Sequence, residues 1–159
     1  LMNISISYQN SFLENLTSSA KGKSYSHLFL NWKDIMYLDQ HDLITLGCHT
    51  HSHPVLSIEN SEIAYNEIEK SKNILEKELG HKIKHFAYPF GAKLQASDRE
   101  YELVKKLKFK TAVTSLCHRP NSEYMYKLPR YGIMENEDLK NILIKIKGVS
   151  NFFKKQLIN

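Results

Sequence analysis

The chain has 159 residues, of which 42% are hydrophobic and 25% are charged, and its formal net charge is +5. These values are typical of one globular domain with a single core, and no apolar run approaches the roughly 20 residues needed to span a bilayer. The positive charge comes from scattered lysines without a nucleic-acid motif, which favours solvated helix faces over a nucleic-acid interface. Two cysteines are too few for a disulfide scaffold.

Residues 1–30 are predicted to form an N-terminal segment that is partly flexible. Ile4, Ile6 and Tyr8 alternate with other residues as in a short strand, and the small polar residues at 17–24 predict a loop. The chain begins with Leu1 and lacks the basic-then-apolar pattern of a signal peptide. We expect a soluble domain, and the sequence does not decide between the cytoplasm and the cell envelope.

Strand and helix patterns alternate along residues 31–147, at the spacing of βα units. The predicted helices cover residues 31–39, 61–79, 97–107 and 135–147. The predicted strands cover residues 43–48, 83–88, 110–115 and 128–133. This order predicts an α/β domain with a parallel sheet or barrel, followed by a basic tail at residues 148–159.

Three histidines stand within five residues in the run HTHSH at 49–53, which Pro54 follows. Neutral imidazole is a common ligand of zinc and of neighbouring transition metals. His49 and His53 could share one metal ion if the backbone between them turned, and Pro54 makes a loop the expected form of that turn. The run follows a predicted strand, at the edge of the sheet where ligands gather in α/β proteins. The spacing therefore indicates either a metal site or a solvated histidine-rich loop.

Other candidate ligands are interpreted as structural. Cys48 adjoins the histidines, but alternation along a strand points it away from His49 and predicts a small core residue. His41, His85 and His118 stand singly near predicted strand ends, where a structural or surface role is expected.

Several sequence elements resemble the polysaccharide deacetylase family, in the order in which the family has them. Residues 47–56, GCHTHSHPVL, resemble its H-[ST]-x-x-x-H-P-x-L signature, and residues 86–91, FAYPFG, resemble its aromatic-Pro-aromatic-Gly loop. Residues 128–130, LPR, are similar to a later family element. Residues 31–35 and 67–72 are similar to the helices on either side of the histidine motif. The resemblance spans residues 31–133.

The resemblance implies a distorted (β/α) barrel and a hydrolase that removes N-acetyl groups from the amino sugars of a polysaccharide or oligosaccharide. It implies that His49 and His53 bind a divalent metal, while His51 occupies a variable position. Zinc is the expected ion, and cobalt or another first-row metal is the alternative. An N-acetylated glycan is the expected partner, and the oligomeric state is left open.

The resemblance also assigns roles beyond the histidines. The backbone N–H of Phe90 is expected to stabilise the oxyanion, and Arg130 is expected to orient a catalytic carboxylate. Tyr88, Pro89 and Gly91 are expected to belong to the substrate-binding loop, with the Tyr88 hydroxyl able to reach the sugar.

Two features of the family have no counterpart in this sequence. Relatives open with a strand that ends in paired aspartates, which supply the general base and a third metal ligand, and many carry a late general-acid histidine. No histidine follows His118, and the aspartates are isolated from one another at Asp34, Asp39, Asp42, Asp98 and Asp138. The barrel is therefore interpreted as partial or N-terminally remodelled. A catalytically impaired domain that binds glycan or metal is the alternative function.

Overall fold

The computed structural model describes residues 4–17, 26–117 and 121–147. Its helices are α1 (Ile6–Thr17), α2 (Trp32–Asp39), α3 (Ser61–Leu79), α4 (Asp98–Lys106) and α5 (Leu139–Ile146). Its strands are β1 (His85–Ala87) and β2 (Thr111–Val113), and 3-10 turns form at Ser26–Leu28 and Ser122–Tyr124. Most of the predicted loop at 17–24 and all of the predicted tail at 148–159 lie outside the described residues.

A small parallel sheet forms the centre of the described chain. β1 pairs with β2 in parallel, with Phe86 opposite Ala112. Single parallel bridges place Cys48 beside Phe86 and Leu128 beside Val113. Four parallel chain segments therefore lie side by side: the residues around Cys48, then β1, then β2, then the residues around Leu128. Their carboxyl ends meet at one edge of the sheet. The α/β class is confirmed, whereas the described residues form no barrel.

The predicted strands are shorter in the structure. The predicted strand at 43–48 contributes only the bridge at Cys48, and the predicted strand at 128–133 contributes only the bridge at Leu128. The strand predicted around Ile4, Ile6 and Tyr8 is wrong, since α1 begins at Ile6. Apolar residues at positions 4, 6 and 8 alternate too briefly to distinguish a strand from one edge of a helix.

Helix α3 has the predicted limits because both of its ends carry strong signals. The side chain of Asn60 caps the first turn by accepting the Ile63 N–H at 2.8 Å. Gly80 ends the helix with a φ of +74°, a left-handed conformation in which glycine has no Cβ to clash. Between these caps, Ala64 and Ile68 are buried on one face.

The core lies between the sheet and helices α3 and α4. The core residues are almost completely buried and come from the middle of the chain. The largest are Tyr88, Phe109, Phe86, Leu56, Ile68, Ile83 and Val104. Helices α1, α2 and α5 contribute no buried residue. Among the described residues, no helix is both long and apolar enough to cross a membrane. The packed centre therefore supports the sheet edge that carries the histidines.

Candidate functional site

The structure brings His49 and His53 together at the carboxyl end of the sheet. The centroids of their imidazole rings lie 4.8 Å apart, in an edge-on arrangement. His49 is half-buried and His53 is exposed, whereas His51 is exposed and shares no ring contact with the pair. The structure therefore brings the two outer histidines together, and their assignment as metal ligands stays a prediction.

One ring nitrogen of His49 is fixed by the neighbouring strand. His49 Nδ1 lies 2.7 Å from the carbonyl oxygen of Ala87, at the end of β1. Because a carbonyl can only accept, Nδ1 carries the proton and Nε2 keeps its lone pair in the neutral ring. Burial is the main cause that lowers the pKa of His49, and the positive charges of His53 and Arg130 lower it further. The neutral His49 imidazole can therefore offer the lone pair of Nε2 to a metal ion.

The loop between the two histidines adopts an uncommon backbone conformation. Thr50 has a φ of +67° and His53 has a φ of +61°. Left-handed conformations of residues other than glycine cost of order 1–3 kcal/mol each and persist where surrounding contacts hold them. The Thr50 hydroxyl supplies one such contact by accepting the His53 N–H at 3.1 Å. The resulting turn directs the chain so that His53 returns to His49.

A second strained turn faces this loop. Phe90 has a φ of +59°, and the Gly91 N–H donates to the Pro89 carbonyl at 2.6 Å, which makes the segment a γ-turn centred on Phe90. The Phe90 ring lies edge-on to the His53 ring, with centroids 4.9 Å apart. Among the described residues the Phe90 N–H has no hydrogen-bond partner. That N–H is therefore available to a ligand oxygen.

Arg130 lies close enough to His49 for its charge to lower the pKa of that imidazole. Its Nε donates to the carbonyl oxygen of Thr114, just beyond β2, at 3.1 Å. The side chain is exposed overall. The structure therefore brings Arg130 to the same sheet edge, and its assignment to a carboxylate stays a prediction.

The structure corrects the assignment of Tyr88. This residue is fully buried, and its hydroxyl donates to the Tyr126 carbonyl at 2.9 Å. Burial also raises the pKa of the phenol, which keeps it protonated and able to donate. Its ring contacts Phe86 and Tyr101. We therefore assign Tyr88 to the core, and the prediction that its hydroxyl reaches the sugar is wrong.

The donor set for a metal is incomplete within the described part of the chain. Two neutral imidazoles suit zinc and similar ions, but no group of three or more His, Cys, Asp or Glu side chains could hold an ion there. Cys48 is buried, and burial raises the pKa of its thiol to about 11, which agrees with a core role. Asp34 and Asp138 cap helices, and Asp39 pairs with His81.

A carboxylate that the sequence did not single out organises the histidine loop. The side chain of Glu67, on α3, accepts the backbone N–H groups of His51 at 3.1 Å and Ser52 at 2.8 Å. It also accepts the Ser52 hydroxyl at 2.7 Å. The His51 N–H also donates to the Glu67 backbone carbonyl at 3.1 Å. The only sequence signal was the similarity of residues 67–72 to a family helix, which says nothing about hydrogen bonds.

The chain belongs to the polysaccharide deacetylase family. The polysaccharide deacetylase profile matches residues 15–112, which is more than half of the chain. The matched range contains His49, His53 and Phe90, and Arg130 lies beyond it. Comparison with curated proteins found no match.

Solved structures of deacetylases share the fold. The Streptococcus pyogenes deacetylase PplD, solved in complex with acetate, is similar with a TM-score of 0.68 and 24% identity, over 84% of this chain and 54% of that one. IcaB from Ammonifex degensii is similar with a TM-score of 0.61 and 18% identity, over 75% and 54%. A polysaccharide deacetylase from Bacillus cereus has a TM-score of 0.60 and 25% identity, over 74% and 37%. The chain spans about half or less of the length of these proteins.

Proposed function

We propose that this chain carries the histidine half of a metal-dependent deacetylase site that acts on N-acetylated amino sugars of a glycan. The proposal rests on the pairing of His49 with His53, in which the Ala87 carbonyl fixes the tautomer that leaves Nε2 free as a ligand. Family membership supports the reaction class. The parallel arrangement of four chain segments supports a partial form of the family's distorted barrel.

His49 and His53 would hold the metal in this proposal, and their two nitrogens leave other coordination positions open. When bound, a divalent metal lowers the pKa of a water molecule to about 7 and polarises the amide carbonyl. The ion we propose is zinc, with cobalt as a substitute. Two protein ligands alone bind such ions weakly, so occupancy depends on metal concentration.

The γ-turn at Phe90 would serve the oxyanion. Its N–H lacks a partner among the described residues, and its ring contacts His53, so the amide group lies beside the proposed metal ligands. A preorganised N–H at that place stabilises negative charge that develops on the acetamide oxygen. Pro89 and Gly91 would act by fixing this turn, and Arg130 would present a positive charge to the same site.

No described residue is assigned as the general base. A positioned base typically contributes about 10²–10⁴-fold to such a reaction. We therefore expect the 159-residue chain to release little or no acetate from chitooligosaccharides, even with added zinc. Robust metal-dependent release by this chain would contradict that expectation and would point to recruitment of one of its isolated aspartates.

The metal assignment is tested by titrating the protein with Co²⁺ and following visible absorption. His49→Ala and His53→Ala should each abolish the Co²⁺-dependent absorption that the unaltered chain shows, because each removes one of two protein ligands. His51→Ala is the matched control and should bind like the unaltered chain. Equal binding by all three variants would overturn the assignment.

A second function follows because no described residue is assigned as the general base. A domain that keeps the two histidines but lacks the general base could bind a glycan or a metal without turnover. No group of three metal-ligating side chains occurs among the described residues, which favours the glycan-binding form of this alternative. Glycan binding by calorimetry, without acetate release, would distinguish it from an active deacetylase.

A further inference from the structure

One carboxylate spans the turn between the two proposed metal ligands. Glu67 Oε2 accepts the N–H groups of His51 and Ser52, and Oε1 accepts the Ser52 hydroxyl. These are the two residues at the middle of the loop, with Thr50 on one side and His53 on the other. Hydrogen bonds to an ionised acceptor are shorter and roughly twice as strong as neutral ones.

The loop needs such support because its own conformation is unfavourable. Thr50 and His53, which flank the two donors, both have positive φ. Within the loop, the Thr50 hydroxyl accepts the His53 N–H, and this contact alone leaves the middle of the turn unanchored. The Glu67 carboxylate supplies the external contact of Ser52, and it shares the His51 N–H with the Glu67 backbone carbonyl, which lies 3.1 Å from the His51 nitrogen.

Glu67 itself is held in place by the packed part of the molecule. It lies on α3 directly before Ile68, which is fully buried in the core. The backbone of Glu67 is therefore held in place by the packing of α3 against the core. A carboxylate on a rigid helix can fix the course of a neighbouring loop, in the way that outer-shell groups orient metal ligands.

We propose that Glu67 is a positioning residue, which holds residues 50–53 in the turn that brings His53 to His49. It does not contact the metal or the substrate in this proposal; it acts on the two histidines through the backbone of His51 and Ser52. The effect on metal affinity rests on the proposed function, whereas the effect on the loop does not.

The first experiment measures the loop without any metal. Hydrogen exchange of a peptide covering residues 48–56 should become about tenfold faster in Glu67→Ala, because Ser52 loses its acceptor and the His51 N–H keeps only the Glu67 backbone carbonyl. Glu69→Ala is the matched control on the same helix, since Glu69 accepts the Tyr65 hydroxyl and no loop group. Equal exchange in the two variants would overturn the proposal. So would faster exchange across α3 and the loop alike, which would indicate general destabilisation.

The second experiment titrates the same variants with Co²⁺ alone. Glu67→Ala should weaken binding by about 10–100-fold, the usual effect of losing an outer-shell partner. Glu67→Gln should restore much of the affinity, because its amide oxygen still accepts both N–H groups and the Ser52 hydroxyl can accept from its NH₂. Unaltered affinity in Glu67→Ala would refute the role.

The two proposals fail in different ways. If the unaltered chain does not bind Co²⁺, the proposed metal function fails, and the exchange experiment still decides the role of Glu67. If the chain binds Co²⁺ but Glu67→Ala binds equally well, the metal function stands and the positioning role fails.

Discussion

The N-terminal part of the described chain and its centre use similar residues in different ways. Helices α1 and α2 carry aromatic and aliphatic side chains, yet neither helix buries a residue. The centre, from residue 48 to residue 128, contains the sheet and the whole buried core. Stability is therefore expected to come from the centre, which also supplies Ala87 and Glu67, the two supports of the histidine loop.

Polar contacts connect the two regions. The Ile6 N–H, at the start of α1, donates to the buried carboxylate of Glu59 at 2.6 Å. Asp39, at the end of α2, pairs with His81 beyond α3 at 2.6 Å. The Asp39–His81 pair is partly exposed and therefore individually weak, whereas the contact of Ile6 with Glu59 involves a buried carboxylate.

The largest expected effect comes from a matched pair of phenylalanines. Phe109 is 2% exposed and packs against Phe86, whereas Phe12 on α1 is 42% exposed. Phe109→Ala should lower the free energy of unfolding by about 3–5 kcal/mol, because it leaves a cavity in the core. Phe12→Ala should lower it by less than about 1 kcal/mol.

Urea denaturation followed by circular dichroism measures both values. Similar losses in the two variants would show that α1 is as tightly packed as the centre, which would break the comparison.

A smaller difference in stability is expected between variants of the capping boxes that begin α4 and α2. The fully buried Glu100 accepts the Ser97 N–H at 2.8 Å and the Arg99 side chain at 2.6 Å. Glu100→Ala should lower the free energy of unfolding by about 2–3 kcal/mol, because it removes the buried, charged acceptor of these two hydrogen bonds. Asp34 accepts the Asn31 N–H at 3.0 Å on exposed α2, so Asp34→Ala should cost about 0.5–1 kcal/mol.

Thermal unfolding of the two variants provides the measurement. A larger loss for Asp34→Ala than for Glu100→Ala would mean that the start of α2 matters more to the fold than its exposure indicates.

The smallest expected effect is a pH dependence of the stability that the Asp39–His81 pair contributes between the two regions. The hydrogen bond to Asp39 is the main cause that raises the pKa of His81 above its ordinary value of 6.5. Because the pKa is raised in the folded state, the contact contributes below pH 6.5 and is lost as the pH rises through the folded pKa. The pKa of His81, read from its NMR ring signals, should fall in Asp39→Asn. An unchanged pKa would show that the pair does not form in solution.

Apart from α1, the sequence predicted the helices better than the strands. Helix α3 could be delimited because Asn60 and Gly80 act locally, through capping and a left-handed backbone. Strand length depends instead on the pairing partner, which local patterns do not reveal. The apolar residues at 43–48 therefore indicated a strand, yet Leu43 is 89% exposed and only Cys48 pairs.

The candidate site could be predicted in part for the same reason. The spacing of His49 and His53 and the PFG turn are local signals, and the structure brings the two histidines and Phe90 together. The direction of the Tyr88 side chain depends on how α4 and Tyr126 pack around it, so the motif alone misassigned it. The role of Glu67 depends on the distance between a helix and a loop, 15 residues apart in sequence at Ser52.

Gly91 makes the turn beside His53 independent of the side chain at position 90. Its φ is +68°, and a Cβ there would stand 2.8 Å from the Ser115 backbone nitrogen, whose N–H donates to the Gly91 carbonyl at 3.0 Å. The path of the turn is thus set by glycine and by the main chain after β2. Side chains other than phenylalanine could occupy position 90 while its amide group stays in place, so the surface next to His53 can change in evolution without moving the proposed oxyanion donor.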